Sequence, residues 1–265
     1  MTATKPTQSI IGALDRGNIG LFLDVDGTLL DIAPRPDAVE VTPGLLDDLA
    51  AVEHALNGAL ALVSGRPMAE LDRLFAPLRL SASGVHGAEL RRRPQDAVVA
   101  LAPGCLGDDA WRALDRLLRE FPGSYAENKR ASFAVHYPDP GTDIPRLKHA
   151  LLYLMERITA SDKNLKLLAG HAVFEIQLPG FDKGRAIEWF MTEEPFSGRM
   201  PVFIGDDEID RPGFDMALAL GGFAFSVGIE LPGLHGVFAG PGAVRAWLHG
   251  LGAHCSANPL DGRHD

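Results

Sequence analysis

Cysteine is scarce in this 265-residue chain, with Cys105 and Cys255 the only two. Two thiols set far apart make no disulfide framework, and a reducing compartment is the expected home. Positive charge is also short. Twenty-five Lys and Arg face 35 Asp and Glu, a formal net charge of -10, which argues against nucleic acid or an anionic membrane as partner. An acidic protein that handles phosphate must gather its positive charge locally or borrow it from a metal ion. No apolar run is long enough to span a bilayer, and the polar stretch Met1 to Ser9 lacks the apolar core of a signal peptide. The expectation is a cytoplasmic, monomeric protein with loose ends at Met1 to Ser9 and beyond His254. Apolar residues at 46% leave ample material for a core.

What is present is organised around Leu21-Phe22-Leu23-Asp24-Val25-Asp26-Gly27-Thr28-Leu29. Continuous apolarity over Leu21 to Leu23 predicts a short strand buried on both faces. Asp24 and Asp26 share one side of an extended backbone, so both carboxyls lean over the end of the sheet. Two carboxylates there repel each other unless they share a cation or a proton. The design recurs. Ala59 to Val63 is apolar and ends at Ser64-Gly65-Arg66-Pro67, and Pro201 to Ile204 ends at Gly205-Asp206-Asp207. Further strands are expected near Leu78 to Val85 and over Phe223 to Val227. Helical spacing joins Leu45, Leu49, Val52 and Leu56, then Met68, Leu71 and Phe75, and later Val244, Trp247, Leu248 and Leu251. This β-α alternation predicts an α/β fold with a doubly wound, Rossmann-like parallel sheet.

Between residues 93 and 179 the texture changes. Two amphipathic helices, one through Trp111, Leu114 and Leu118 and one through Leu147, Leu151 and Leu154, are each followed by strand-like sequence. An α-β-β unit repeated twice is too long for a crossover, so it reads as a smaller inserted α/β domain at 93–179, with the core at 1–92 and 180–265. Arg91, Arg92 and Arg93 read as a solvated turn. His86 has no second histidine at ligand spacing and reads as a loop or substrate contact.

Three apolar strands ending in Asp24, Ser64 and Asp206, with a helix opening beside Lys183, supply the parts of one reaction. A carboxylate nucleophile attacks a phosphate ester and forms an aspartyl-phosphate. A second carboxyl protonates the leaving alcohol and later deprotonates water. Asp206 completes a hard oxygen site suited to Mg²⁺, and Ser64 and Lys183 hold the transferring oxygens. Taken singly the parts are ordinary: a D-x-D can be a turn, Ser64 a helix cap, Lys183 a surface lysine.

Asp24-Val25-Asp26-Gly27-Thr28, Ser64-Gly65-Arg66, Lys183 and Gly205-Asp206-Asp207 resemble the four motifs of the haloacid-dehalogenase superfamily. Gly84 to Glu89, the Glu127-x-Lys129 pair, His136-Tyr137 and Glu175 followed by Asp182-Lys183-Gly184 further resemble the bacterial trehalose-6-phosphate phosphatases. That resemblance implies hydrolysis of trehalose 6-phosphate, with Asp24 as nucleophile and Asp26 as general acid and base. It implies Mg²⁺ held by Asp24, the Asp26 carbonyl and Asp206, with Asp207 and Asp210 in support. It makes the inserted domain a cap bearing the sugar contacts Glu127, Lys129 and Glu175, with Gly65, Arg66, His86 and Glu89 on the core side. Two departures stand out: Pro138 where the family often has Arg, and Ile209-Asp210-Arg211 where it often has Thr-Asp-Glu. A phosphatase of another sugar phosphate, or a silent sugar-phosphate sensor, are the competing readings. Intact Asp24, Asp26, Ser64, Lys183 and Asp206 argue against the second.

Overall fold

The computed structural model describes residues 18–33, 38–101, 107–129, 131–137, 140–158, 165–170 and 172–257, with the side chains of 253–257 excepted. Met1 to Ser9, Cys105 and Pro138 therefore lie outside the described residues. The chain divides into two compact units, Met1–Val99 with Asp182–Asp265, and Ala100–Phe181.

In the larger unit β1 (Ile19–Leu23) is buried at all five residues, as an unbroken apolar run requires. Helix α1 (Pro43–Ala55) follows, begun by a proline whose missing N–H costs nothing at the first turn. Then come β2 (Leu60–Val63), α2 (Met68–Leu74), β3 (Ser81–Gly84), β4 (Glu89–Arg91) and, where the chain leaves the unit, β5 (Val99–Ala100).

The smaller unit repeats one pattern: α3 (Asp108–Leu118), β6 (Tyr125–Asn128) and β7 (Ser132–His136), then α4 (Ile144–Ile158), β8 (Lys166–Gly170) and β9 (Val173–Gln177). Its four strands pair antiparallel in the order β6-β7-β9-β8. Phe133, Val135, Phe174 and Ile176 form one core with Leu114, Leu147 and Leu151 of the helices. By strand alternation Glu127, Ser132, Ala134, Glu175 and Gln177 lie on the opposite face.

The chain returns to the larger unit with α5 (Lys183–Met191), β10 (Met200–Gly205), α6 (Arg211–Ala219), β11 (Phe223–Val227), β12 (Gly236–Phe238) and α7 (Pro241–Ala257). The sheet order is β12-β11-β10-β1-β2-β3-β4-β5. β12 through β3 run parallel, and β4 is antiparallel to β3. After β1 the chain builds outward on one side, and from β10 it builds outward on the other. The order therefore reverses at β1, and the crevice beyond its carboxyl end is where such sheets receive ligands. Phe22 stacks on Phe196 with centroids 5.2 Å apart and meets Phe190 at 5.8 Å, so the central strand is held by aromatic packing as well as by its ladders.

Three expectations change. The C-terminal region is not loose from His254, because α7 continues to Ala257. Helix α6 and strands β4, β5 and β12 are absent from the expected elements. Of the three arginines read as a solvated turn, only Arg93 is exposed. Arg91 Nε and Nη2 donate to the Leu80 carbonyl at 3.0 and 2.8 Å, and its guanidinium grips both Asp72 oxygens at 2.7 and 2.8 Å. Arg92 lies 3.9 Å over the Trp189 ring, donates to the Trp189 carbonyl at 2.9 Å and pairs with Glu193. A planar fork with five donors can be buried when its charge is paired and most of its edge is bonded; Arg92 Nε has no hydrogen-bond partner among the described residues.

Replacing Arg91 by Met leaves the Leu80 carbonyl and Asp72 without their donor. Urea denaturation is expected to show a loss of about 2 kcal/mol; an unchanged midpoint would mean that these bonds contribute nothing net.

Candidate active site

The register of the parallel strands brings four segments to one edge. Leu23 lies beside Ile204 on one side and Leu62 on the other, and Val63 lies beside Ser83. Asp24, Ser64 and Asp206 therefore follow the last ladder residues of three adjacent strands. The Asp24 N–H still donates to the Ile204 carbonyl at 2.9 Å, so the nucleophile candidate sits on backbone fixed by the sheet. Gly27 turns the chain back with φ +79°, and a Cβ there would lie 1.9 Å from an Asp206 carboxylate oxygen. Only glycine lets the two loops approach so closely.

Lys183, the first residue of α5, is buried and donates from Nζ to Asp24 Oδ1 at 2.5 Å and to Asp210 Oδ1. Asp182 caps the same helix by accepting from the Arg185 N–H at 2.9 Å. Asp210 accepts from the Asp206 and Asp207 N–H groups through Oδ2 at 2.8 and 3.2 Å. It thus links Lys183 to the loop that carries Asp206. Asp207 accepts from the Ile209 N–H at 2.8 Å and caps the 3₁₀ turn Glu208–Asp210. The departure Ile209-Asp210-Arg211 keeps the one residue of that triplet which the site uses.

Carboxylate oxygens of Asp24, Asp206 and Asp210 lie within 4.8 Å of one another. Burial pushes the Asp24 carboxyl up to about 7; Lys183 pulls against this, while the charges of Asp210 and Asp26 add to it. Burial likewise raises Asp206 to about 9, reinforced by Asp24 and Asp210. Lys183 is held charged, its burial outweighed by Asp210 and Asp24. Three carboxylates against one ammonium leave negative charge uncompensated, and the donors are all hard oxygens. The set fits a divalent cation, which would return Asp24 to the ionised form that a nucleophile requires.

Arg66 Nε and Nη2 donate to Asp26 Oδ2 and Oδ1 at 2.7 and 2.8 Å, and Nη1 reaches Glu70 at 3.3 Å. Both Asp26 oxygens are thus engaged, yet its side chain remains 39% exposed. The Ser64 hydroxyl accepts from the Arg66 N–H at 3.1 Å, closing its own loop rather than capping a helix. The N-cap position of α2 is Pro67, and Glu89 reaches in from β4 to accept from the Met68 N–H at 2.7 Å.

Val85 and His86 both take left-handed backbone, φ 47° and 53°, unusual for any residue with a side chain and more so for a β-branched one. Two bonds hold them there, Val85 N–H to the Arg66 carbonyl and His86 N–H to the Ser64 carbonyl, each 3.0 Å. The imidazole lies against Gly65, where a Cβ would be 2.5 Å from Nε2.

The remaining expected residues form a second cluster within the smaller unit. The Ser132 hydroxyl donates to Glu175 Oε1 at 2.6 Å, and Lys129 Nζ lies 3.7 Å from the same oxygen. Glu127 lies 3.4 Å from His136 Nε2, and His136 stacks on Tyr125 with centroids 4.8 Å apart. Asp210 is expected only in support of the metal, and Ser132 is not among the expected residues. The signal for Asp210 is its spacing of four from Asp206 across one helical turn, which lets a side chain reach back to backbone amides. Ser132 carries no signal beyond its place in the strand.

A model of the trehalose-phosphatase family matches residues 22–230. The trehalose-6-phosphate phosphatase of Escherichia coli K12 is 40% identical over 227 residues, covering 86% of this chain and 84% of that protein. Among solved structures, the C-terminal domain of Candida albicans trehalose-6-phosphate phosphatase superposes with a TM-score of 0.78 at 17% identity, covering 96% and 99% of the two chains. The trehalose-6-phosphate phosphatase of Aspergillus fumigatus superposes with a TM-score of 0.64 at 22% identity, covering 96% and 100% of the two chains. These two similarities show the fold.

The raised carboxyls have a consequence for stability. The folded state holds protons on Asp24 and Asp206 that the unfolded chain has released above pH 3.8, so this contribution is largest at low pH and is lost as pH rises towards about 9. Metal-free protein is expected to melt at progressively lower temperature between about pH 5 and pH 9. Added Mg²⁺ should restore more of the loss at the alkaline end, and a melting temperature indifferent to both would refute the charge assignment.

Proposed function

Since the chain belongs to the trehalose-phosphatase family and is a phosphatase of trehalose 6-phosphate, we propose that its chemistry runs through an aspartyl-phosphate on Asp24, with Mg²⁺ as the cation. The observation that carries this is the buried cluster of Asp24, Asp206, Asp210 and Lys183 at the point where the strand order reverses.

An Asp24 oxygen attacks phosphorus in line as the bond to the sugar oxygen breaks. The Asp26 carboxylic acid gives its proton to that departing oxygen, releasing trehalose. Water then attacks the aspartyl-phosphate, its proton passing to Asp26, and the bond from Asp24 to phosphorus breaks to release phosphate. Lys183 keeps Asp24 aimed and offers charge to the transferring oxygens. Arg66 holds Asp26 in reach, and its grip on at least one oxygen must loosen before Asp26 transfers a proton. A divalent ion, held by the Asp24 and Asp206 carboxylates with the Asp26 carbonyl and Asp207 loop in support, would screen the negative nucleophile from the negative ester. Asp210 is tied to Lys183 and two amides, so it orients the cluster. Glu127, Lys129 and Glu175 are assigned to the sugar; Gly65, His86 and Glu89 shape the loops around Ser64 and Arg66. No helix is long and apolar enough to cross a membrane among the described residues. The two widely separated cysteines fit a reducing compartment, and we place the enzyme in the cytoplasm.

The test joins a variant to a substrate panel. Asp24→Asn should lower phosphate release about 10⁴-fold or more while still binding substrate, since the amide keeps the shape and loses the nucleophile. Wild-type enzyme should prefer trehalose 6-phosphate to glucose 6-phosphate and sucrose 6-phosphate, and should stop when divalent ions are chelated. An active Asn variant overturns the covalent route; a better rival ester overturns the substrate.

A further inference from the structure

Gln177 is the last residue of β9 and is 1% exposed. Its amide nitrogen is buried and finds no hydrogen-bond partner among the described residues. Register and alternation place it on the face of the smaller sheet that carries Glu175, which is two residues earlier, and Ser132, which is its direct partner across β7. On that face Glu175 Oε1 accepts from the Ser132 hydroxyl at 2.6 Å and has Lys129 Nζ at 3.7 Å.

An unsatisfied buried amide destabilises a fold, and a strand that needed only shape would carry a leucine or methionine here. Retaining the donor makes sense if something arrives to accept from it. A neutral hydroxyl is the group that suits both neighbours, since it can accept from the Gln177 amide and donate to the Glu175 carboxylate. An anion would be repelled by Glu175, and an apolar group would leave the amide as it is.

We propose that the Gln177 side-chain amide donates a hydrogen bond to a hydroxyl of the substrate's sugar portion, making Gln177 a specificity-determining residue beside Glu175. This rests on the sugar-phosphate reading above and adds to it a residue that none of the motifs contains. A site built to hydrogen-bond a substrate hydroxyl loses discrimination when the donor is removed, whereas an amide with no ligand does not.

The experiment compares wild type with Gln177→Leu, which keeps bulk and removes the donor, and with Gln177→Glu, which keeps shape and replaces the donor by an acceptor. For each, kcat and KM for trehalose 6-phosphate, the inhibition constant of inorganic phosphate and the melting temperature are measured. Both variants are expected to raise KM about tenfold, the worth of one hydrogen bond. The kcat and phosphate inhibition should stay within about threefold of wild type, and the Leu variant should melt no lower than wild type, having shed an unsatisfied donor. An unchanged KM in either variant overturns the proposal. So does a parallel fall of kcat, phosphate binding and melting temperature in both, which marks a structural role. If wild-type enzyme itself prefers another ester, the substrate assignment fails instead, a result visible before any variant is made.

Discussion

One buried ammonium holds the reaction centre together. Lys183 lies between Asp24 and Asp210, all three almost without solvent; Asp24 comes from the tip of β1 and Asp210 from the turn after β10. Without that shared cation the acids at the end of the sheet would repel one another at short range and at low dielectric. With it, the negative charge is only partly answered, and the remainder makes the edge receptive to a divalent ion. The Lys183 contact therefore both stabilises the cluster and leaves it incomplete. A fully neutralised cluster would fold more comfortably and bind nothing.

The parallel sheet makes this possible through its topology. β1 is central, and the strands added after it lie on opposite sides, so a crevice opens beyond its carboxyl end. Asp24 is anchored by its N–H to Ile204, while Gly27 clears room for Asp206. The smaller unit solves a different problem with a different sheet. Its antiparallel strands bury one face under helices and leave the other to Glu127, Ser132, Glu175 and Gln177, as strict alternation allows.

Much of this could be read from the residues alone, for identifiable reasons. Buried strands announce themselves by unbroken apolarity, so β1, β2 and β10 and the polar residues at their ends are legible, as is the doubled α-β-β pattern. What escaped notice depends on partners remote in the chain. Nothing local says that Lys183 meets Asp210, that Arg91 finds the Leu80 carbonyl and Asp72, or that Arg92 finds Trp189; a run of arginines looks solvated until those partners are known. Helix α6 was hidden by Arg211-Pro212-Gly213 at its start, which reads as a turn although Phe214 and Ala217 are buried. Strand β12 has three residues, too few for periodicity to register. The left-handed pair Val85 and His86 is imposed by its bonds to the Ser64 loop and leaves no mark on residue type.

The imidazole of His86 occupies the space that a side chain at position 65 would fill. The two positions therefore share one allotment of volume, although they belong to separate loops. In evolutionary terms they are epistatic. A bulkier residue at 65 becomes acceptable only in a lineage that has already given up the ring at 86, so divergence among relatives should have to pass through the second position before it reaches the first.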